Sequence, residues 1–213
     1  MFKVSSATDT IFSGLDAEAR ALLDRLKVAA SDIIAAKGYD NATVDEIAQR
    51  ARLTPEAIAP FIMDKRELLF LAWSDHFRAL TDQAFTDVPG DAPFLDQLMV
   101  VFRHIYMLFR DQAHLARPVL KESVYYRNQN VIADAFRGEQ RRLQGGLLAI
   151  VEGAQDANRI ARAPDAKMIL KVVHAVLGRE SRDFLNPEEP DLEAGLADVR
   201  EKMDLIIKGF GGD

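Results

Sequence analysis

The residue types that carry chemistry are sparse in this chain. It has four histidines, His76, His104, His114 and His174, and no cysteine. No HExxH spacing occurs, so the two-histidine helical face of a zinc hydrolase is missing. Asp111 and His114 stand three apart, but two ligands fall short of the three or four that hold a zinc ion. Gly145-Gly146 has neither the preceding strand nor the lysine of a phosphate-cradling loop. No serine, histidine and acid stand in a nucleophilic pattern. The expectation is a protein that is not an enzyme and uses no metal or cofactor.

A different chemistry is raised by residues 50–61, RARLTPEAIAPF. Thr54-Pro55-Glu56 is a strong helix start: an N-cap hydroxyl, a proline at the first helical position, then an acid near the positive dipole end. Major-groove readout needs paired donors and acceptors, or an apolar contact to a thymine methyl. Thr54 to Pro60 holds no Arg, Lys, Asn, Gln, Tyr or His. That leaves the Thr54 hydroxyl, and Ala57 or Ile58 against a methyl. Glu56 can accept from cytosine but repels phosphates. Pro60 has no N–H to donate to the Glu56 carbonyl, so the helix kinks or ends there.

The elements that position these residues are all helical. Leu22, Leu26, Ala29 and Ile33 predict one apolar stripe on a helix over 17–37. Lys37-Gly38 supplies the stop: a cation in the last turn, then a residue free to take positive φ. Thr43 opens a short helix over 43–51, with Asp45 and Glu46 in its first turn. A three-residue turn leads to the next helix, over 54–60. Asp64-Lys65-Arg66-Glu67 starts another, running to about Phe85. The clearest loop is 86–93, TDVPGDAP. Helical patterns follow over 93–110, 113–121, 125–153, 164–184 and 190–209, with a possible bend at Gly145-Gly146. No β-alternation, fixed-period repeat or low-complexity tract is visible.

Bulk properties agree with a soluble protein. The 213 residues are 48% hydrophobic and 28% charged, enough for a substantial core. The strongly apolar run Leu68–Trp73 is far too short to cross a bilayer. The start, MFKVSSATDTIF, lacks a charged segment followed by an apolar stretch, so no export signal is expected. A cytoplasmic location fits. The net charge of −6 argues against coating nucleic acid non-specifically, though not against a local basic face. Within 19–70 the basic residues are Arg20, Arg25, Lys27, Lys37, Arg50, Arg52, Lys65 and Arg66. The acids there are Asp24, Asp32, Asp40, Asp45, Glu46, Glu56, Asp64 and Glu67. The block is therefore neutral, and the remainder carries the whole negative charge.

The block Ala29–Leu69 resembles the amino-terminal domain of the TetR family of bacterial transcription regulators. The resemblance is carried by Lys37-Gly38-Tyr39, Thr43-Val44-Asp45-Glu46-Ile47-Ala48, Ala51, Leu53-Thr54, Phe61 and Lys65-Arg66-Glu67-Leu68-Leu69. The rest matches in layout only. The resemblance implies an all-α protein: a three-helix helix-turn-helix domain over 17–66, then a larger helical effector and dimerisation domain over 67–213. It implies a homodimer on double-stranded operator DNA, acting as a repressor and released by a small apolar effector, with no membrane partner. The family has Gly where Arg52 stands, a Lys or similar near Pro55, Gly or Pro at Glu56, Tyr at Ala59 and Phe at Ile62. The scaffold residues are kept and the usual contact residues are not. A second implication therefore stands beside the first: a TetR-like fold that no longer reads DNA and binds a lipid-like ligand or a protein partner.

The site residues expected on DNA are Thr43, Arg52, Thr54, Pro55, Ala57, Ile58 and Lys65, chiefly as phosphate anchors. In the family the later helices line an effector cavity, which points to Phe102, Tyr106, Met107, Tyr125, Tyr126 and His174. The last two helices carry the broad apolar stripe Val172, Val176, Leu192, Leu196, Val199, Met203, Ile206 and Phe210. Two such helices repeated by a two-fold axis give a four-helix dimer interface.

Overall fold

The structure, a computed structural model, describes residue 12 and residues 14–209. Among these, nine helices and no strand occur: α1 Ala17–Lys37, α2 Val44–Arg50, α3 Pro55–Ile58, α4 Lys65–Thr86, α5 Phe94–Asp111, α6 Ala113–Glu122, α7 Val131–Asp156, α8 Ala166–Phe184 and α9 Leu192–Gly209. The export-signal question at residues 1–11 and the apolar Phe210 lie outside the described residues. No described helix is long and apolar enough to cross a membrane.

The ends of the first helices follow from their caps. Asp16 accepts the Ala19 N–H at 2.8 Å to open α1. Gly38, at φ 78°, closes it with its N–H on the Ile34 carbonyl. α1 buries Leu23, Leu26, Ala29, Ala30 and Ile34, so Leu26 and Ala29 of the expected stripe are core, while Leu22 and Ile33 are only half-buried and Leu23 and Ile34 take their place. Apolar residues stand in both registers, and periodicity alone cannot choose between them. α3 is a single turn rather than 54–60. Pro60 cannot donate, and the N–H groups of Phe61 and Ile62 both return to the Ile58 carbonyl, at 2.9 Å.

Residues 125–153 were expected to be helical from Tyr125, yet α7 begins only at Val131. Asn130 supplies its cap, accepting the Ala133 N–H at 2.9 Å. The preceding residues are claimed by partners far away in sequence: Tyr126 and Asn128 both donate to Glu67 at 2.7 Å.

Packing divides the described residues into two compact units, one of 14–78 with 112–139 and one of 79–111 with 140–209. In the first, α1 packs on α2 and α6, and α2 on α3. Its core holds Leu23, Leu26, Ile34, Ile47, Leu68, Phe70 and Trp73, all essentially without exposure. Phe70 stacks on Phe136 at 4.1 Å and meets Tyr126 edge-on at 4.7 Å. In the second unit, α9 lies along α5 and beside α8, around Leu98, Val101, Phe102, Tyr106, Val173, Val199 and Met203. Each such side chain contributes about 1.5–3 kcal/mol of burial.

Candidate nucleic-acid interface and effector site

In the helix-turn-helix the polar groups are largely occupied by the fold itself. Thr43 forms a full capping box with Glu46: its hydroxyl accepts the Glu46 N–H at 3.2 Å, and its own N–H reaches the carboxylate at 3.2 Å. The hydroxyl also donates to that carboxylate at 2.9 Å. Lys37 closes the group at 2.6 Å from Glu46. That ammonium, then Thr43, holds the Glu46 carboxyl below the usual carboxylate range.

Thr54 caps α3, its hydroxyl accepting the Ala57 N–H at 3.3 Å. Glu56 sits in that first turn. Its own backbone N–H, then the Thr54 hydroxyl, stabilises its carboxylate and lowers its pKa. The helix therefore presents a negative charge at its start. Pro55, Glu56, Ala59 and Pro60 are exposed and Ala57 is half-buried. Ile58 is 4% exposed, which corrects its expected role: a side chain inside the core cannot reach a thymine methyl. Lys65 is also engaged. Its ammonium donates to the Tyr39 and Asp40 carbonyls at 2.8 and 3.1 Å and lies 4.3 Å from the centre of the Tyr39 ring.

The turn between α2 and α3 is formed at Arg52, which adopts φ 55°. The Arg52 N–H donates to Gln49 and the Leu53 N–H to Ala48, at 3.0 and 2.9 Å, the wrapped C-terminal closure that usually takes glycine. From α1, Arg25 spans the outside of this turn. Its Nη2 donates to the Ala51 and Arg52 carbonyls, both at 2.6 Å, and its Nε to Ala51 at 3.1 Å. Arg25 was absent from the sequence-based candidates, because nothing local links position 25 to position 51.

Most other cations of this block have internal acids. Lys27 meets Asp24 and Asp75, Arg50 meets Asp32 at 2.7 Å, and Arg66 meets Asp64 at 2.5 Å. With Lys37 on Glu46 and with Arg25 and Lys65 on carbonyls, the side chains of Arg20 and Arg52 are the two left without a hydrogen bond or ion pair among the described residues.

The effector candidates divide between the two units. Phe102 and Tyr106 are fully buried in the second unit, where Tyr106 stacks on Phe184 at 4.4 Å. The Tyr106 hydroxyl is buried without a partner among the described residues. Burial, then the charge of Glu180, pushes its pKa up. Met107 is 38% exposed, and His174, expected on an apolar face, is exposed. Tyr125 and Tyr126 belong to the first unit: Tyr125 is 80% exposed, while Tyr126 is buried and bonded to Glu67. A cleft of about 390 Å³ in the second unit is lined by Met99, Val100 and Leu196. Ion pairs Arg103–Glu193 at 3.0 Å and Arg200–Asp96 at 2.6 Å stand at the same cleft.

Of the dimer candidates, Leu196, Val199 and Met203 are core side chains, at most 5% exposed; burial against their own chain removes them from an interface. Val172, Val176, Leu192 and Ile206 are half-buried, and beside them Met168 and Leu205 are 49% and 74% exposed.

Neither a protein-family profile nor a curated protein matches the chain by sequence. Solved structures do match it. A TetR-family transcriptional regulator from Pectobacterium atrosepticum aligns with a TM-score of 0.67 and 18% identity, over 92% of this chain and 97% of that one. The transcriptional regulator FadR from Bacillus subtilis, in complex with stearoyl-CoA, aligns at 0.66 and 17%, over 87% and 98%. SmeT, the repressor of the Stenotrophomonas maltophilia multidrug efflux pump SmeDEF, aligns at 0.60 and 15%, over 86% and 89%. The chain has the fold of the TetR-type regulators: an amino-terminal helix-turn-helix and a helical carboxy-terminal domain.

Proposed function

We propose that the chain is a homodimeric transcription regulator, a repressor that binds duplex operator DNA and is released by a small, largely apolar effector. The observation that carries this reading is the intact helix-turn-helix. α2 and α3 are each capped by a threonine, the turn between them is closed, and an unpaired cation, Arg52, stands on it. Arg52 is the free phosphate donor of this surface, with Pro55 and Ala57 against the groove, while the Thr43 and Thr54 hydroxyls and Lys65 hold the fold that presents it. The similarity to an acyl-CoA-bound regulator supports an effector with a long apolar part. The buried Tyr106 hydroxyl, without a partner among the described residues, suits a polar anchor for it. Dimerisation through α8 and α9 is supported by Met168, Val172, Val176, Leu205 and Ile206.

The test is fluorescence anisotropy with duplexes from the DNA upstream of the gene, repeated across salt concentrations. Binding carried by phosphate contacts weakens steeply as salt rises. Absence of binding at the lowest ionic strength removes this reading.

A second reading is favoured by one specific observation. The exposed face of α3 offers Pro55, Glu56, Ala59 and Pro60, while four of the block's cations are neutralised internally. In that reading the fold has given up reading DNA and serves a lipid-like ligand or a protein partner.

A further inference from the structure

We propose that Arg25 is a positioning residue for the α2–α3 turn: it holds position 52 in a left-handed conformation, and Arg52 thereby presents a cation to a phosphate of duplex DNA. This rests on the reading of the chain as a DNA-binding regulator.

The conformation at position 52 is one that side chains with a Cβ rarely adopt and glycine adopts freely. An arginine there gains no local return, because its side chain is exposed and makes no hydrogen bond or ion pair among the described residues. What sustains the turn is elsewhere. The carbonyls of Ala51 and Arg52 lie past the end of α2, beyond its helical hydrogen bonds. Both are taken by the Arg25 guanidinium, whose rigid planar fork fixes the angle between its donors as a flexible lysine ammonium does not. Arg25 therefore supplies from α1 the support that a turn glycine does not need.

The cation so held differs from its neighbours. Lys37, Arg50 and Arg66 each face an acid within 2.7 Å, and Lys65 is spent on two carbonyls. Arg52 adjoins the amino-terminal cap of α3, where a helix-turn-helix approaches the DNA backbone. A single such contact adds affinity without reading sequence. That fits a helix whose exposed face carries no base-reading donor.

Anisotropy titrations of the full chain decide the matter, using Arg52→Gly, Arg25→Lys and the double variant on upstream and random-sequence duplexes. Arg52→Gly should melt no lower than the parent, since glycine suits the turn. It should lose several-fold in affinity on both duplexes alike and flatten the salt slope by about one per protomer. Arg25→Lys should lower affinity similarly, and the double variant should lose little more, because both act through one contact. The melting temperature should fall more on Arg25→Lys alone than when it is added to Arg52→Gly. Unchanged affinity and slope in Arg52→Gly, with the parent still binding, overturns this proposal alone. Additive losses in affinity or in melting do the same. A parent that binds neither duplex at low salt overturns the DNA-binding reading and this contact with it.

Discussion

The phenol of Tyr126 donates to Oε1 of Glu67 at 2.7 Å across 59 positions of sequence, with both side chains buried. The same oxygen takes the amides of Asn128 and Asn130 at 2.7 and 2.9 Å. Oε2 takes the N–H groups of Met63 and Asp64 at 2.7 and 2.6 Å. Five donors thus compensate one buried carboxylate, and they fasten the segment before α4 to the loop over 123–130. Burial, then the bond to Glu67, pushes the Tyr126 pKa up.

Removing one partner should cost far less than removing the carboxylate. Tyr126→Phe deletes one charge-assisted hydrogen bond and is expected to destabilise by about 1.5–3 kcal/mol. Glu67→Ala orphans several buried donors at once and should cost about 3–5 kcal/mol. Urea denaturation measures both, and a Glu67→Ala loss no larger than that of Tyr126→Phe would contradict the hub.

Acid should loosen the neighbouring Asp64. Burial raises its pKa, but the bonds from the Arg66 side chain and backbone, the Arg66 charge and the Asn128 amide outweigh it, so the value lies below the ordinary 3.8. With the folded pKa depressed, the contribution is complete above the unfolded value and is lost as pH falls through the folded one. Melting temperature should therefore drop below about pH 4, with a shallower fall in Asp64→Asn. Equal slopes for the two proteins would exclude this carboxylate as a cause.

Two adjacent glycines of α7 should respond oppositely to alanine. A Cβ on Gly146 would lie 2.2 Å from the Phe85 ring, whereas one on Gly145 meets nothing within 4 Å. Gly146→Ala is expected to cost about 1–3 kcal/mol by overpacking and to recover in part with Phe85→Leu. Gly145→Ala should stabilise by about 0.5–1 kcal/mol through helix propensity alone. Calorimetry showing the same sign for both would refute the assignment of Phe85 as the obstacle.

Reversing the charge on the exposed face of α3 distinguishes the two functional readings. Under DNA binding, Glu56→Lys replaces repulsion by attraction and should raise affinity for any duplex several-fold at low salt, fading as salt rises. Under the second reading no duplex binding emerges, and any change appears in capture of the ligand or partner.

The proposed dimer is exposed to a single charge. Leu205→Arg puts a cation where a 74% exposed leucine now stands on α9, and a desolvated unpaired charge is costly at an interface. Sedimentation velocity should show the species halve in mass with the helical circular dichroism unchanged. A dimer that persists at micromolar concentration places the interface elsewhere.

Local chemistry carried much of the fold into the sequence. The limits of α1 and the starts of α2 and α3 were legible because Gly38, Thr43, Thr54 and Pro55 act on their own neighbours. What depended on distant partners was not legible. The loop over 123–130 is drawn out of a helix by Glu67, and Arg25 reaches its carbonyls 26 and 27 positions away. Ile58 illustrates the same limit on the site: in one short turn of helix, the face turned to the core is fixed by packing that no periodicity records. Val199 and Met203 belonged to a stripe broad enough for two partners, and their own chain took them.

The Glu67 hub also bears on how this protein can be cut and joined. A segment ending at residue 66 would leave behind the carboxylate that caps its own final loop, together with Tyr126, Asn128 and Asn130. The packing unit that contains α1–α3 draws its second part from 112–139. The helix-turn-helix is therefore not a portable cassette. A chimaera that exchanged 17–66 alone would graft unsatisfied polar groups, and a working exchange must carry both stretches of chain.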